Sequence, residues 1–132
     1  MQKIQIMSRV VVANVPVMYI AGAFSGPSAE AVDLNIAAAR KVGALVALKG
    51  WCPLIPHANT AGFDRIVPGI PYDFWIAATM EMLDRSDAVT FVPGWENSTG
   101  AKGEHARAES LAMSIYYETR HVPEAAAFMK GA

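Results

Sequence analysis

Short apolar runs that alternate with segments of helical periodicity constrain this chain more than any other feature it has. Pro16-Val17-Met18-Tyr19-Ile20-Ala21 is the first run, and it ends in Gly22. Its unbroken apolar character reads as a parallel strand buried on both faces, with proline confined to the opening position. From Pro27 or Ser28 onward, Val32, Ile36, Ala39, Gly43 and Val46 form a stripe at helical spacing. This predicts a helix that stops near Lys49-Gly50. Trp51 to Ile55 is the second strand, closed by Pro56-His57, and residues 58–70 form a loop rich in Gly, Pro, Asn and Asp. Such a length suits a lid or binding loop. Pro71 opens a helix with core positions Ile76, Met80 and Leu83. Asp87 to Val92 is the third strand, and the loop Pro93 to Gly100 leads into a helix over about residues 101–113. Ser114 to Tyr117 is a short fourth strand, and Pro123 opens a terminal helix.

Strands that alternate with helices imply a parallel sheet with helices on both faces. Right-handed crossovers narrow this to an α/β, flavodoxin-like, doubly wound sheet of four to five strands. Ligands in such sheets sit beyond the carboxyl ends of the strands. Three segments fall there: the turn after the first strand, His57 after the second, and the loop after the third. A chain of 132 residues, 53% hydrophobic and 17% charged, fits one packed domain. That domain is expected over residues 16–132. Residues 1–15 alternate polar and apolar side chains and read as an extra strand or an arm on a neighbouring subunit.

The composition also excludes several functions. A net charge of −1 with scattered Lys and Arg leaves no basic face for nucleic acid. No apolar run reaches the roughly 18 residues that span a bilayer, so no membrane partner is expected. The single cysteine, Cys52, allows no internal disulfide. That favours a reducing compartment, and a cytoplasmic protein is expected. His57, His105, His121 and Cys52 lack the spacing of zinc ligands, so no metal is expected. Cysteine chemistry is not expected either, since Cys52 falls in a strand predicted to be buried.

Two constellations remain. The turn Gly22-Ala23-Phe24-Ser25-Gly26 brings backbone N–H groups to a helix start, which makes a generic cradle for an anion or sugar. A plain tight turn fits the same residues. The second is Glu104, within Ser98-Thr99-Gly100-Ala101-Lys102-Gly103-Glu104-His105-Ala106. Glycine costs a helix interior roughly 1 kcal/mol relative to alanine, so Gly103 calls for a reason such as close approach of a ligand. A carboxylate near a helix N-terminus is favoured in its ionised form, which suits a nucleophile, although an ordinary first-turn Glu looks the same. His57 can contact a sugar hydroxyl or phosphate, assist a leaving group, or simply bond loop backbone. Trp51 and Trp95 can stack on a base or pack.

Tyr19-Ile20-Ala21-Gly22, Pro53-Leu54-Ile55-Pro56-His57, Asp87-Ala88-Val89 with Pro93-Gly94-Trp95-Glu96, and Ser98-Thr99-Gly100-Ala101 with Glu104 occur in this order. Together they resemble a nucleoside 2-deoxyribosyltransferase-like family of short proteins, related to deoxynucleoside monophosphate N-glycosidases. The resemblance implies that Glu104 attacks the anomeric carbon and that Tyr19 orients it. It implies that Ser98 binds a 5′-phosphate and that Gly100 leaves room for sugar or phosphate. Gly22, Phe24, Ser25, Gly26 and His57 complete the expected substrate contacts. It implies no cofactor, a nucleoside or nucleotide as ligand, and a homo-oligomer, a dimer or larger, in which a neighbour completes each pocket. One position departs. The family carries Asp eight residues before Asp87, where this chain has Thr79. A threonine hydroxyl can hydrogen-bond a base but cannot act as a general acid near neutral pH. Glu81 projects from another side of the helix. The alternative to a glycosidase or transferase is a catalytically inactive nucleotide-binding module or a structural subunit.

Overall fold

A computed structural model describes residues 14–131. The arm expected over residues 1–15 therefore falls almost wholly outside the described residues. Strand β1 spans Val17–Ala21, β2 Cys52–Leu54, β3 Ala88–Phe91 and β4 Ser114–Tyr116. They form one parallel sheet in the order β2-β1-β3-β4. Among the helices, α1 spans Ala29–Ala47, α2 Pro56–Asn59, α3 Phe63–Ile66, α4 Tyr72–Asp84, α5 Thr99–Ser110 and α6 Ala125–Gly131. The expected α/β, doubly wound arrangement is present. The segment 58–70 differs from the expected loop because it folds into the end of α2 and the single turn of α3.

Side chains of β1 alternate between two cores, as the pleat requires. Met18 and Ile20 pack with Ala39, Val42 and Val46 of α1 and with Trp51, Val122 and Ala125. Tyr19 and Ala21 pack on the other face with Leu83 of α4, Ala108 of α5, and Val89 and Phe91. The central strands β1 and β3 are buried almost throughout. The edges β2 and β4 are partly open. This corrects the reading of Cys52, which is exposed because β2 is an edge strand. It also corrects Ile76, which is 38% exposed: it shares the helix face of Leu83 two turns on, but only the Leu83 end of α4 is covered.

Capping and tethering fix the helices. Ser28 caps α1 by accepting from the Ala31 N–H at 3.1 Å. The Lys49 ammonium donates to the carbonyls of Thr119 (3.0 Å) and Val122 (2.7 Å). The Trp51 indole donates to the Pro123 carbonyl at 2.9 Å and its ring packs on Phe128. Trp51 is thus a packing residue that clamps the C-terminal segment. Among the described residues no helix is long and apolar enough to cross a membrane.

Candidate functional site

The connection from β1 to β2 moves outward on one side, and the chain then crosses back to β3 on the other side of β1. The order reverses between β1 and β3. That switch point, beyond the carboxyl ends of the strands, is where open α/β sheets leave a crevice. Tyr19 comes from β1, and Glu104 comes from α5, the helix that follows β3. The Tyr19 hydroxyl donates a hydrogen bond to Oε2 of Glu104 across this point. Tyr19 is fully buried and Glu104 is 6% exposed. The sequence pair thus meets as expected.

The electrostatics run against the expectation from the helix dipole. Glu104 lies in the second turn of α5 and is buried, and burial pushes its carboxyl up from 4.5 to about 7. The Tyr19 hydrogen bond opposes the shift without cancelling it. Desolvation of a charge outweighs a dipole that acts mainly within the first turn. Burial and the adjoining carboxylate raise the Tyr19 phenol as well, so Tyr19 stays protonated and donates to the ionised form of Glu104.

Ser98 is the N-cap of α5, where its Oγ accepts from the Ala101 N–H at 3.2 Å. Accepting leaves the hydroxyl hydrogen of Ser98 free to donate. A methyl group at Gly100 would come no nearer than 3.9 Å to Ser98 Oγ, and at Gly103 no nearer than 3.8 Å to Met80. Neither glycine is required by neighbouring protein atoms. By contrast, a methyl group at Gly22 would meet Val92 at 2.7 Å, and at Gly26 would meet Ala31 at 2.7 Å. Packing alone accounts for these two glycines. The turn is held by Asn35, whose amide donates to the carbonyls of Phe24 (3.0 Å) and Ser25 (3.2 Å).

His57 lies in α2 and is buried. Its Nε2 is 2.8 Å from the Gly22 carbonyl, and its ring sits 5.6 Å from Phe24. His57, Gly22 and Phe24 therefore form one contact group, and Tyr19 with Glu104 another. Thr79 joins neither, because its hydroxyl donates to the Trp75 carbonyl of its own helix at 2.8 Å. Its only hydroxyl hydrogen is thereby engaged.

Sequence reasoning missed an aromatic cluster beside Glu104. Phe91, Trp95, His105 and Tyr117 pack together, and the His105 ring and the Tyr117 hydroxyl are 2.9 Å apart. A groove of about 630 Å³ opens along Phe91, Trp95, Glu96, Tyr117 and Arg120. It is not lined by Glu104 or Tyr19. Trp95 was the one signal in the sequence, since Tyr117 and His105 sit on other elements.

A protein-family model described as a domain of unknown function (DUF4406) matches residues 16–117. No curated protein matches the chain.

Proposed function

The chain belongs to the DUF4406 family, and we propose that this member cleaves or transfers the N-glycosidic bond of a nucleoside or nucleoside 5′-monophosphate. The nucleoside 2-deoxyribosyltransferase-like reading of the sequence belongs to the same proposal, as does a homo-oligomer. The observation that carries it is the buried Tyr19–Glu104 hydrogen bond at the switch point between β1 and β3.

The chemistry follows from that pair. Positive charge builds at the anomeric carbon as its bond to the base nitrogen breaks. An ionised Glu104 stabilises that charge and closes on the carbon through one carboxylate oxygen, forming a glycosyl ester. The base leaves with the bonding electron pair and takes its proton from water. Thr79 cannot supply that proton, because it is not acidic near neutral pH and its hydroxyl is bonded to the Trp75 carbonyl. Tyr19 holds Oε2 in place, which leaves Oε1 as the attacking oxygen. Water or a second base then attacks the same carbon and releases Glu104. Ser98 donates its free hydrogen to a 5′-phosphate at the start of α5, where the helix dipole also favours an anion. The vacant flank of Gly100 accommodates that group. No cofactor takes part in these steps.

The second reading is a nucleotide-binding module without catalysis, and the engaged Thr79 hydroxyl favours it. Incubation with nucleosides and their 5′-monophosphates, followed by chromatography for free base, decides between the two. Base release is expected, faster from a monophosphate than from its nucleoside. No release together with raised melting temperatures selects the binding module, since a ligand bound only by the folded state adds RT ln(1 + [L]/Kd) of stability. Neither release nor a shift rejects both readings.

A further inference from the structure

The groove of about 630 Å³ lies at the carboxyl ends of β3 and β4, and the steps derived above leave it unused. Its volume falls in the range of small-molecule sites. Phe91, the last residue of β3, is 1% exposed and forms the floor. Tyr117, just past β4, is 49% exposed, and Trp95 is half-buried. The Tyr117 ring is tilted 13° from the plane of Phe91 and 26° from that of Trp95, with centroids 5.9 and 6.2 Å away. Rings that box in an ammonium group surround it with their faces, whereas these run roughly parallel and offer a flat platform. The charges on the lining disfavour an anion. Glu96 and Glu118 both stand there, and the Arg120 guanidinium already donates to Glu118 at 3.1 Å. A planar, uncharged ring fits what remains, stacked on the aromatic side chains with its polar edge toward the rim. A nucleobase is such a ring.

The backbone joins this groove to the phosphate seat. The Ser98 N–H donates to the Trp95 carbonyl at 2.9 Å and closes the single turn Trp95–Asn97. Trp95 therefore stands on the groove and against the start of α5, where Ser98 keeps a hydrogen to donate. A 5′-phosphate at Ser98 is esterified to the sugar through one oxygen, and its other oxygens can carry a second group. A group attached there is one short turn away from Trp95.

We propose that the ligand is a nucleoside 5′-phosphate whose phosphate chain carries a second nucleoside, and that the second base stacks on Tyr117 and Trp95 in this groove. The proposal rests on the nucleotide reading above and narrows its substrate class. Glu104 faces the reacting sugar, Ser98 holds the phosphate, and the aromatic groove selects the far half of the molecule.

Calorimetric titration tests this with the 5′-monophosphates, 5′-diphosphates and symmetrical dinucleoside 5′,5′-diphosphates of adenosine, guanosine and cytidine. A Glu104→Gln background keeps the ligands intact, and the diphosphates control for added charge. The dinucleotides should bind at least about tenfold more tightly than the diphosphates, the usual order for stacking one base on aromatic side chains. That gain should be lost in Tyr117→Ala and kept in Tyr117→Phe, which retains the ring and lacks the hydroxyl beside His105. The monophosphates should bind Tyr117→Ala as they bind its parent. No gain from the second nucleoside, or a gain equally large in Tyr117→Ala, overturns the inference and leaves the nucleotide reading standing. Equal weakening of all three ligand classes in Tyr117→Ala overturns it too, since Tyr117 then belongs to the mononucleotide site. Binding of none of the ligands overturns both readings. If Tyr117→Ala does not fold, proton NMR on the Glu104→Gln protein replaces it. Overhauser contacts between the Tyr117 ring and base protons should appear with a dinucleotide and not with a diphosphate. Contacts with neither, or with both, contradict the proposal.

Discussion

Replacing Glu104 with glutamine should lower turnover by several orders of magnitude while leaving nucleotide binding in place. Glutamine keeps the shape and an acceptor for the Tyr19 hydroxyl, but its neutral oxygen neither attacks carbon nor stabilises positive charge at the anomeric position. Loss of a covalent nucleophile acts on the chemical step and spares ground-state binding. Ser98, Gly100 and the start of α5 remain to hold the ligand. Single-turnover base release and calorimetric affinity, measured side by side, check this. Equal turnover in the two proteins would remove Glu104 from the mechanism.

The same substitution should remove the pH dependence that Glu104 imposes on stability. The folded-state carboxyl sits near 7 against an ordinary value of 4.5. The folded protein therefore holds this proton more tightly than the unfolded chain. Below about 4.5 both states are protonated, and the contribution is fully present. Between 4.5 and 7 the unfolded chain ionises first, and stability falls as pH rises. Above about 7 the loss is complete, at about 3 kcal/mol for a shift of this size. Glu104→Gln carries no such titration. Its stability relative to wild type should thus improve by about 3 kcal/mol between pH 4.5 and 8, as read by denaturant unfolding across that range. The ionised form needed for attack gains population over the same interval, so kcat/KM should rise through about pH 7 as stability falls. A stability difference that stays flat with pH would mean that burial does not raise this carboxyl.

That opposition between stability and reactivity was not legible in the sequence. Glu104 reads there as a residue near a helix N-terminus, where the dipole favours charge. Only the meeting of α5 with β1, between residues 85 positions apart, shows that the carboxylate is enclosed. The layer order was legible because β1 and β3 are central strands, and their unbroken apolar runs carry that fact locally. Cys52 was misjudged because a short apolar run looks the same at an edge as in the centre, and strand order is not written in local pattern. Ile76 failed for a related reason, since periodicity gives the phase of an apolar stripe but not how far a neighbour covers it. Short turns such as α2 and α3 lack the length that periodicity needs. The glycines divide in the same way. Gly22 and Gly26 looked like ligand glycines and have packing reasons, whereas Gly100 and Gly103 are open to ligand.

The central claim is that Glu104 becomes covalently bonded to the sugar. Intact-protein mass spectrometry after rapid mixing with the nucleoside 5′-monophosphate that releases base tests it most directly, with peptide mapping of any adduct. The account predicts a mass gain equal to the sugar phosphate less one water, located on Glu104, building to a constant level as base release reaches its steady rate, decaying once substrate is spent, and absent from Glu104→Gln. Base release with no adduct at any time, or an adduct on another residue, would contradict it.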